Sequence, residues 1–402
     1  MNDLSLKDNK KGWIPLLFIL FIPMSWAVFI VGSVYRNVTL LLAAILLLAI
    51  NGTMRLTGKN GNTLVVWSVY VLYTFVALVW STDFSRSFNN CLGMLLVYVI
   101  ALTFSHAEVN KIAPRYYDVA WILVGVTCVL FFLFGSTETI NEYTTRGTLV
   151  ILGNKTDPNE FSGTFCITAS VGAYYAMTGK KWWVRVLNFI AVLFELYVIF
   201  AAGSRGALIA AVAAIFVTLF FGIKPTVKHV VSVTLILLVT VVIVVYAVLP
   251  LLSEDVMERF TVQAILEDGG RGRSSIWKSG LSTYMSGGPF RLLFGFGYGG
   301  VVAEGFYDDT ATMHNQFIQI LINYGLVGFL LYLVLLARCF FQLVRHNRKY
   351  LGGFMGMMAL SMTLSLPPTY KPFWVLLVMA FVSELQLQKR GKSVADDPEK
   401  VS

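Results

Sequence analysis

The sequence predicts an all-α polytopic membrane protein, and three observations support this fold class. Hydrophobic residues make up 57% of the 402 residues and charged residues only 13%, about half the share that is usual in soluble domains. Apolar runs that approach the length of about 20 residues needed for a span recur along the chain. Backbone polar groups in hydrocarbon must be satisfied within their own segment, which predicts that these runs are helices.

The apolar runs set the number and the order of the spans. They occur at about 14–34, 38–50, 64–80, 88–104, 116–134, 161–177, 186–202, 207–221, 230–249, 317–337, 351–366 and 372–386. About 12 transmembrane helices follow, and short runs such as 38–50 and 207–221 leave the count open by about one in either direction. The first run is too long for a signal peptide and no small-residue cleavage site follows it, so we expect it to be retained. We therefore interpret 1–402 as a single integral membrane domain.

The distribution of Lys and Arg predicts the orientation of the chain. If both termini are cytoplasmic, 20 of the 31 basic residues fall on the cytoplasmic side, as the positive-inside rule requires. The basic residues of the short outer loops are then only Arg36, Arg86, Arg205 and Lys371. The net charge of +9 is thus explained by topology, and we expect no nucleic-acid partner.

Two long outer loops stand out between the apolar runs. They cover about 135–160 and 250–316, and loops of this length inside a compact fold are usually functional or disordered. The larger one is rich in aromatic residues and glycine, which favours short helices lying on the membrane. We interpret its glycine-rich segment 295–300 as a flexible loop, because no strand precedes it. The polar tail 388–402 is predicted to be a disordered cytoplasmic segment.

The segment Gly203-Ser204-Arg205-Gly206 separates two apolar runs and is a candidate anion site. It places Arg205 at the outer membrane surface, where a charge needs a partner. The small flanking residues would admit a bulky anion, and the N-terminus of the next helix favours one. The alternative is an arginine that extends to the lipid headgroups.

A second basic segment, Gly270 to Trp277, has the same character. Ser274 or Ser275 can cap a helix there, which places Arg273 beside a helix N-terminus, with Arg271 close by. Two arginines near exposed amide groups suit a phosphate or diphosphate. A solvated basic turn is the alternative.

His314 is the only histidine on the outer side in this topology, immediately before a span. Its imidazole could act as a general base, although a structural role is the alternative. Glu195 lies inside a span, either as a buried partner of an arginine or as a proton-coupled transport site. No metal-ligand cluster is apparent, and Asp308-Asp309 is interpreted as a solvated turn. Four widely spaced cysteines favour neither a disulfide framework nor a zinc site.

Three of these elements occur in an order typical of one family. They are Ala202-Gly203-Ser204-Arg205-Gly206-Ala207 between two helices, Arg273 four residues before Trp277, and His314-Asn315 followed by Gln319-Ile320-Leu321-Ile322-Asn323-Tyr324-Gly325-Leu326-Val327-Gly328. Pro158-Asn159 before a central span adds a fourth. By these motifs the chain resembles the O-antigen ligase and O-antigen polymerase family of bacterial envelopes over about residues 150–335.

The resemblance implies a C-type glycosyltransferase in the bacterial inner membrane. Such an enzyme takes a glycan from an undecaprenyl diphosphate carrier on the outer face of that membrane. The resemblance implies that Arg205 and Arg273 bind the diphosphate and stabilise its charge in the transition state, with Arg271 as a helper and without a metal or cofactor. It further implies that His314 lies near the acceptor hydroxyl. Asn315 and Trp277 are further candidate substrate contacts.

The acceptor distinguishes the functions that remain open. A polymerase would join lipid-linked repeat units of O-antigen, capsule or exopolysaccharide, with a chain-length regulator as a further partner, whereas a ligase would pass the finished glycan to lipid A-core. The length of the chain fits a polymerase or a ligase better than a protein glycosyltransferase, and the Gln-rich start of the helix after His314 favours a polymerase. A lipid-linked glycan transporter would explain the many spans and Glu195, but it leaves the large loop without a purpose and lacks paired interrupted spans. A purely structural scaffold is the weakest alternative.

Overall fold

The described part of the molecule is an α-helical bundle with one small antiparallel sheet. The computed structural model describes residues 58–105, 115–141, 144–151, 154–223, 226–244, 246, 249–251, 257, 261, 273–300, 312–368 and 370–381. Within them, six helices are long and apolar enough to cross a membrane: Gly61–Trp80, Phe84–Ser105, Tyr117–Phe134, Trp182–Ala201, Arg205–Gly222 and Gln316–His346. Each corresponds to a predicted apolar run. The predicted spans 14–34 and 38–50 and the tail 388–402 lie outside the described residues.

The helices and strands follow one another in a simple order. The helices are α1 Gly58–Val76, α2 Phe84–Ser105, α3 Arg115–Phe134, α4 Pro158–Gly163, α5 Phe165–Thr178, α6 Trp182–Ala201, α7 Arg205–Val217, α8 Val227–Ile243, α9 Arg273–Ser286, α10 Gly288–Phe294, α11 Gln316–His346, α12 Leu351–Ser361 and α13 Lys371–Val378. The strands are β1 Ser136–Asn141, β2 Thr144–Ile151 and β3 Asn154–Thr156. Short 3₁₀ turns extend α1 to Trp80 and α13 to Phe381, and a π-helical turn extends α7 to Gly222.

The segments that connect the helices meet at two opposite ends of the bundle. At one end, the segment after α1 bonds to the glycine-rich loop, with the Thr82 N–H donating to the Phe296 carbonyl at 2.9 Å. At the other end, the turn after α11 meets α3, where Lys349 Nζ lies 2.8 Å from Asp118 Oδ2. The segments that meet at the first end are those that the charge distribution places outside. We call this first end the loop end of the bundle.

The segment 136–156, predicted as part of a loop, instead forms a three-stranded sheet in the order β1-β2-β3. Both pairs are antiparallel, with Thr137 opposite Leu149 and Val150 opposite Lys155. The segment is rich in threonine, valine and isoleucine, whose branched side chains suit a pleated strand. Strand pairing also satisfies backbone groups near the membrane, which an open loop would leave to water.

Helix α11 is broken at Gly325, which has φ 64° and ψ −172°. The break frees backbone carbonyls that a straight helix would use. The glycine-rich loop takes two of them, because the Phe296 N–H donates to the Ile322 carbonyl at 3.1 Å and the Gly297 N–H donates to the Asn323 carbonyl at 2.9 Å. Tyr73 completes the set with a hydroxyl bond of 2.7 Å to the Tyr324 carbonyl. The polar backbone at this depth is thus satisfied by protein.

The glycine-rich loop is therefore an ordered part of the bundle, and its interpretation as flexible is wrong. A Cβ on Gly297 would lie 2.2 Å from Ser81 Oγ, and one on Gly300 would lie 2.1 Å from Thr82 Oγ1. Gly295, Gly297 and Gly299 all have positive φ angles, which glycine adopts without strain. The run of glycines permits close backbone approach between α2, the loop and α11.

Candidate functional site

Arg205 is the first residue of α7, at the loop end of the bundle. Gly203, with φ 63°, makes the turn that ends α6, and Ser204 stands at the N-cap position of α7. The Ser204 hydroxyl does not cap the helix but donates to Asn159 Oδ1 at 2.9 Å. The first amide groups of α7 are therefore not used by a side-chain cap. A cation beside such amides suits an anion.

Helix α4 lies against this turn and carries two carboxylates. Asp157 caps it, with Oδ1 accepting from the N–H groups of Asn159 at 2.7 Å and Glu160 at 3.1 Å. Tyr370 also holds this helix, because its hydroxyl donates to the Glu160 carbonyl at 3.0 Å. This bond and the Ser204–Asn159 bond hold α4 between α7 and the start of α13.

His314 lies one residue before the cap of α11, with φ 47°, which is uncommon for a residue other than glycine. Its neighbours fix this segment. Asn315 caps α11 by accepting from Phe317 N at 3.0 Å and Ile318 N at 3.2 Å, and its amide donates to the Met362 carbonyl at 3.2 Å. Strained backbone held by surrounding bonds is typical of functional sites.

The segment around Met362 joins His314 to Arg205. Thr363 follows Met362 directly and packs against Gly206, where a Cβ would lie 2.6 Å from Thr363 Oγ1. A side chain at position 206 would therefore push these two segments apart. The glycine after Arg205 is explained by this close approach.

Arg273 is the first described residue of α9, and Ser274 and Ser275, which were predicted as possible caps, lie inside this helix. Trp277, one turn later, is half-buried, and its indole N–H donates to the Met313 carbonyl at 2.7 Å. This bond ties α9 to the residue before His314. Trp277 therefore supports the histidine segment, and Asn315 is likewise engaged in the bonds that cap α11. Arg271 lies outside the described residues.

The charges at the loop end act on His314. Burial lowers the pKa of its imidazole, and the Arg273 guanidinium lowers it further, while the Asp157 carboxylate opposes both effects. The imidazole is therefore neutral near pH 7. Its Nδ1 is buried and has no hydrogen-bond partner among the described residues. A neutral imidazole with an unused nitrogen can accept a proton.

Residues 187–333 match the Wzy_C family model, which is described as O-Antigen ligase. This segment is an O-antigen ligase family region. It contains Arg205, Arg273 and His314, and it confirms the resemblance to the O-antigen ligase and polymerase family, whose members are membrane glycosyltransferases. No curated protein matches the chain.

The carboxylates of α4 are the residues that sequence reasoning missed. Burial and the neighbouring Asp157 charge raise the pKa of Glu160 to about 8. Burial and the nearby Glu160 raise the pKa of Tyr298 to about 12, with Arg86 opposing. The sequence signal was Asp157-Pro158, since a capping residue followed by proline marks a helix start that fixes the carboxylate.

Glu195 lies in α6, away from this cluster, and is 4% exposed. Its carboxylate faces Gly125 and Thr168, since a Cβ on Gly125 would lie 2.0 Å from Glu195 Oε1 and 3.1 Å from Thr168 Oγ1. The expected arginine partner is therefore wrong within the described residues, where a glycine and a hydroxyl take its place. Asp308 and Asp309 lie outside the described residues.

Proposed function

We propose that the protein is a metal-independent glycosyltransferase that uses an undecaprenyl-diphosphate-linked oligosaccharide as donor. It acts on the outer face of the bacterial inner membrane, with both termini in the cytoplasm, and polymerises repeat units of O-antigen, capsule or exopolysaccharide. The carrying observation is the convergence of Arg205, Arg273 and His314 at one end of the bundle, inside the O-antigen ligase family region.

The two arginines supply what a diphosphate leaving group needs. Arg205 lies beside the first amides of α7, and Arg273 lies in the first described turn of α9. As the glycosidic bond breaks, negative charge builds on the diphosphate, and two fixed guanidinium groups stabilise it. Arg271 would add a third cation from the segment before α9.

His314 acts on the acceptor in this proposal. The acceptor hydroxyl gives its proton to the neutral imidazole and attacks the anomeric carbon, while the diphosphate leaves with the bonding electron pair. The Arg273 charge that lowers the histidine pKa keeps the base neutral before the reaction. Asn315 and Trp277 hold the histidine segment through the bonds described above.

A ligase is the second candidate, and the description of the matched family as O-Antigen ligase favours it. The donor chemistry would be the same, but lipid A-core would be the acceptor. A polymerase instead uses a second lipid-linked repeat unit, with a chain-length regulator as a further partner.

The deciding assay gives the purified protein one undecaprenyl-diphosphate-linked repeat unit in the presence of EDTA. A ladder of longer lipid-linked glycans is the result expected of a metal-independent polymerase. Product formed only after lipid A-core is added would identify a ligase. Transport of the lipid-linked unit without any product would overturn the glycosyltransferase proposal.

Variants test the roles of the individual residues. Arg205→Gln and Arg273→Gln should abolish transfer while the protein still inserts and folds, and His314→Ala should slow transfer with donor binding retained. Arg86→Gln is the matched control, because Arg86 also lies at the loop end but pairs with Asp83 at 3.3 Å on the surface. Equal losses in Arg86→Gln and Arg205→Gln would refute the specific role of Arg205.

A further inference from the structure

The turn between α5 and α6 lies at the end of the bundle opposite the candidate site. Tyr175, in the last turn of α5, donates its hydroxyl to Asp118, which is the carboxylate paired with Lys349. The turn itself is fixed, because Arg185 Nε donates to the Gly179 carbonyl at 2.7 Å. It thus presents its side chains in a defined arrangement.

Two lysines and two indoles project from this turn. Lys180 and Lys181 are exposed, and the following Trp182 is 75% exposed. The Lys181 ammonium lies 5.6 Å from the ring centroid of Trp183, within the range of a cation–π contact. Tryptophan prefers the headgroup level of a membrane, and lysine beside it faces the phosphates. The turn therefore lies where lipid headgroups begin.

An apolar stripe continues from this turn along α6. Trp183, Leu187, Ile190 and Phe194 follow helical spacing on one face, and they are 46%, 57%, 41% and 47% exposed. Eleven residues of helix rise about 16 Å, close to half of the hydrocarbon core of about 30 Å. The stripe has the length and character to cover one acyl chain.

We propose that this turn binds an anionic glycerophospholipid, with Lys180 and Lys181 on its phosphate and one acyl chain along the stripe. The negative headgroup complements the two lysines. A second copy of the chain is a poorer occupant, since a two-fold contact through this stripe would bring the lysine pairs of both copies together. The site is distinct from the candidate catalytic end.

The test compares lipid binding to the purified full-length protein in a nonionic detergent. Native mass spectrometry counts bound phosphatidylglycerol and phosphatidylcholine, and thermal unfolding measures the stabilisation that each gives. The variant is Lys180→Gln/Lys181→Gln. The matched control is Arg345→Gln/Arg348→Gln, because these two arginines are also exposed and lie at the same end of the bundle. Lys180→Arg/Lys181→Arg tests whether charge alone is sufficient.

The expected result is preferential binding of phosphatidylglycerol, weakened about 25-fold in the lysine variant, because each basic residue contributes a factor of about five. The control and the arginine variant should retain binding. Equal losses in the lysine variant and the control would overturn the proposal, as would equal binding of the two lipids. Stabilisation by inorganic phosphate alone would identify a free-phosphate site and overturn the lipid proposal. Loss of a dimer in the lysine variant would identify a protein interface and would also overturn it. If the lysine variant does not fold, weaker binding of phosphatidylglycerol by Leu187→Ser/Ile190→Ser supports the proposal, and unchanged binding contradicts it.

Discussion

Replacing Lys349 by alanine should destabilise the bundle far more than a surface ion pair would suggest. Lys349 and Asp118 are 2% and 1% exposed, and Nζ lies 2.8 Å from Oδ2. The substitution leaves the Asp118 carboxylate buried without its cation. Breaking a buried pair costs about 3–5 kcal/mol. Tyr175 and Tyr350 still donate to the carboxylate, which places the expected loss near the lower value, about 3 kcal/mol.

Thermal unfolding of the purified protein in detergent measures this loss. At about 2 °C per kcal/mol for a large domain, Lys349→Ala should lower Tm by about 6 °C. Glycosyl transfer by the folded protein should remain, because Lys349 lies at the end opposite His314.

The Arg86–Asp83 pair is the matched control. These side chains are 42% and 31% exposed and 3.3 Å apart, and an exposed pair contributes only about 0–1 kcal/mol. Arg86→Gln removes this ion pair but keeps the bond from the Arg86 backbone N–H to Asp83 Oδ1 at the start of α2, so it should lower Tm by about 2 °C or less. If Lys349→Ala and Arg86→Gln shift Tm equally, burial does not govern the strength of the Lys349 pair and the reasoning fails.

Three further predictions concern the loop end. Asp157→Asn keeps the cap of α4 but removes the charge that raises the His314 pKa. Activity carried by a neutral base is lost as pH falls through that pKa, so the acid limb of the pH–rate profile should move to lower pH; an unmoved limb would exclude His314 as the titrating base. Gly325→Ala should lower the free energy of unfolding by about 2 kcal/mol or more, because the new Cβ would lie 2.4 Å from the Leu293 carbonyl group and φ is positive there. The control is Gly61→Ala, where no atom lies within 4 Å of the new Cβ, and it should leave Tm nearly unchanged. Asn315→Ala should lower the free energy of unfolding by about 1 kcal/mol, because α11 loses its cap, and should also reduce transfer. Asn315→Ser can still cap the helix and should recover most of the stability. Equal Tm values for the two variants would show that the cap does not matter.

The spans were predictable because hydrophobic length alone selects them. The runs at 64–80, 88–104 and 116–134 correspond to helices with nearly the same bounds that are long and apolar enough to cross a membrane. The last run, 372–386, was predicted as an ordinary span, yet its described part to Phe381 is buried among the other helices. Hydropathy does not distinguish a helix that faces lipid from one at the centre of a bundle.

The small sheet and the break at Gly325 could not be derived in this way. Strands β1 to β3 depend on pairing between segments, which periodicity within one short segment does not report. The Asn323-Tyr324-Gly325 motif was recognised, but its reason is a contact with Leu293 from another part of the chain. A sequence shows a glycine without showing what approaches it.

For the candidate site, the predicted side of the membrane and the residue type were enough to propose Arg205, Arg273 and His314. Their placement at the same end of the bundle depends on contacts such as Gly206 with Thr363, which no spacing predicts. Asp157 was not among the predicted site residues, because only the fold shows that its carboxylate acts on His314. It caps α4 and also acts on His314, so the two roles are not exclusive.

The broken helix α11 has a consequence for how this protein can diverge. The bonds that join the glycine-rich loop to α11 use main-chain atoms, from the amides of Phe296 and Gly297 to the carbonyls of Ile322 and Asn323. These bonds therefore do not depend on the identity of the loop side chains, except where a glycine is needed for the close approach. In related chains the join between loop and helix can persist while the sequence around it diverges.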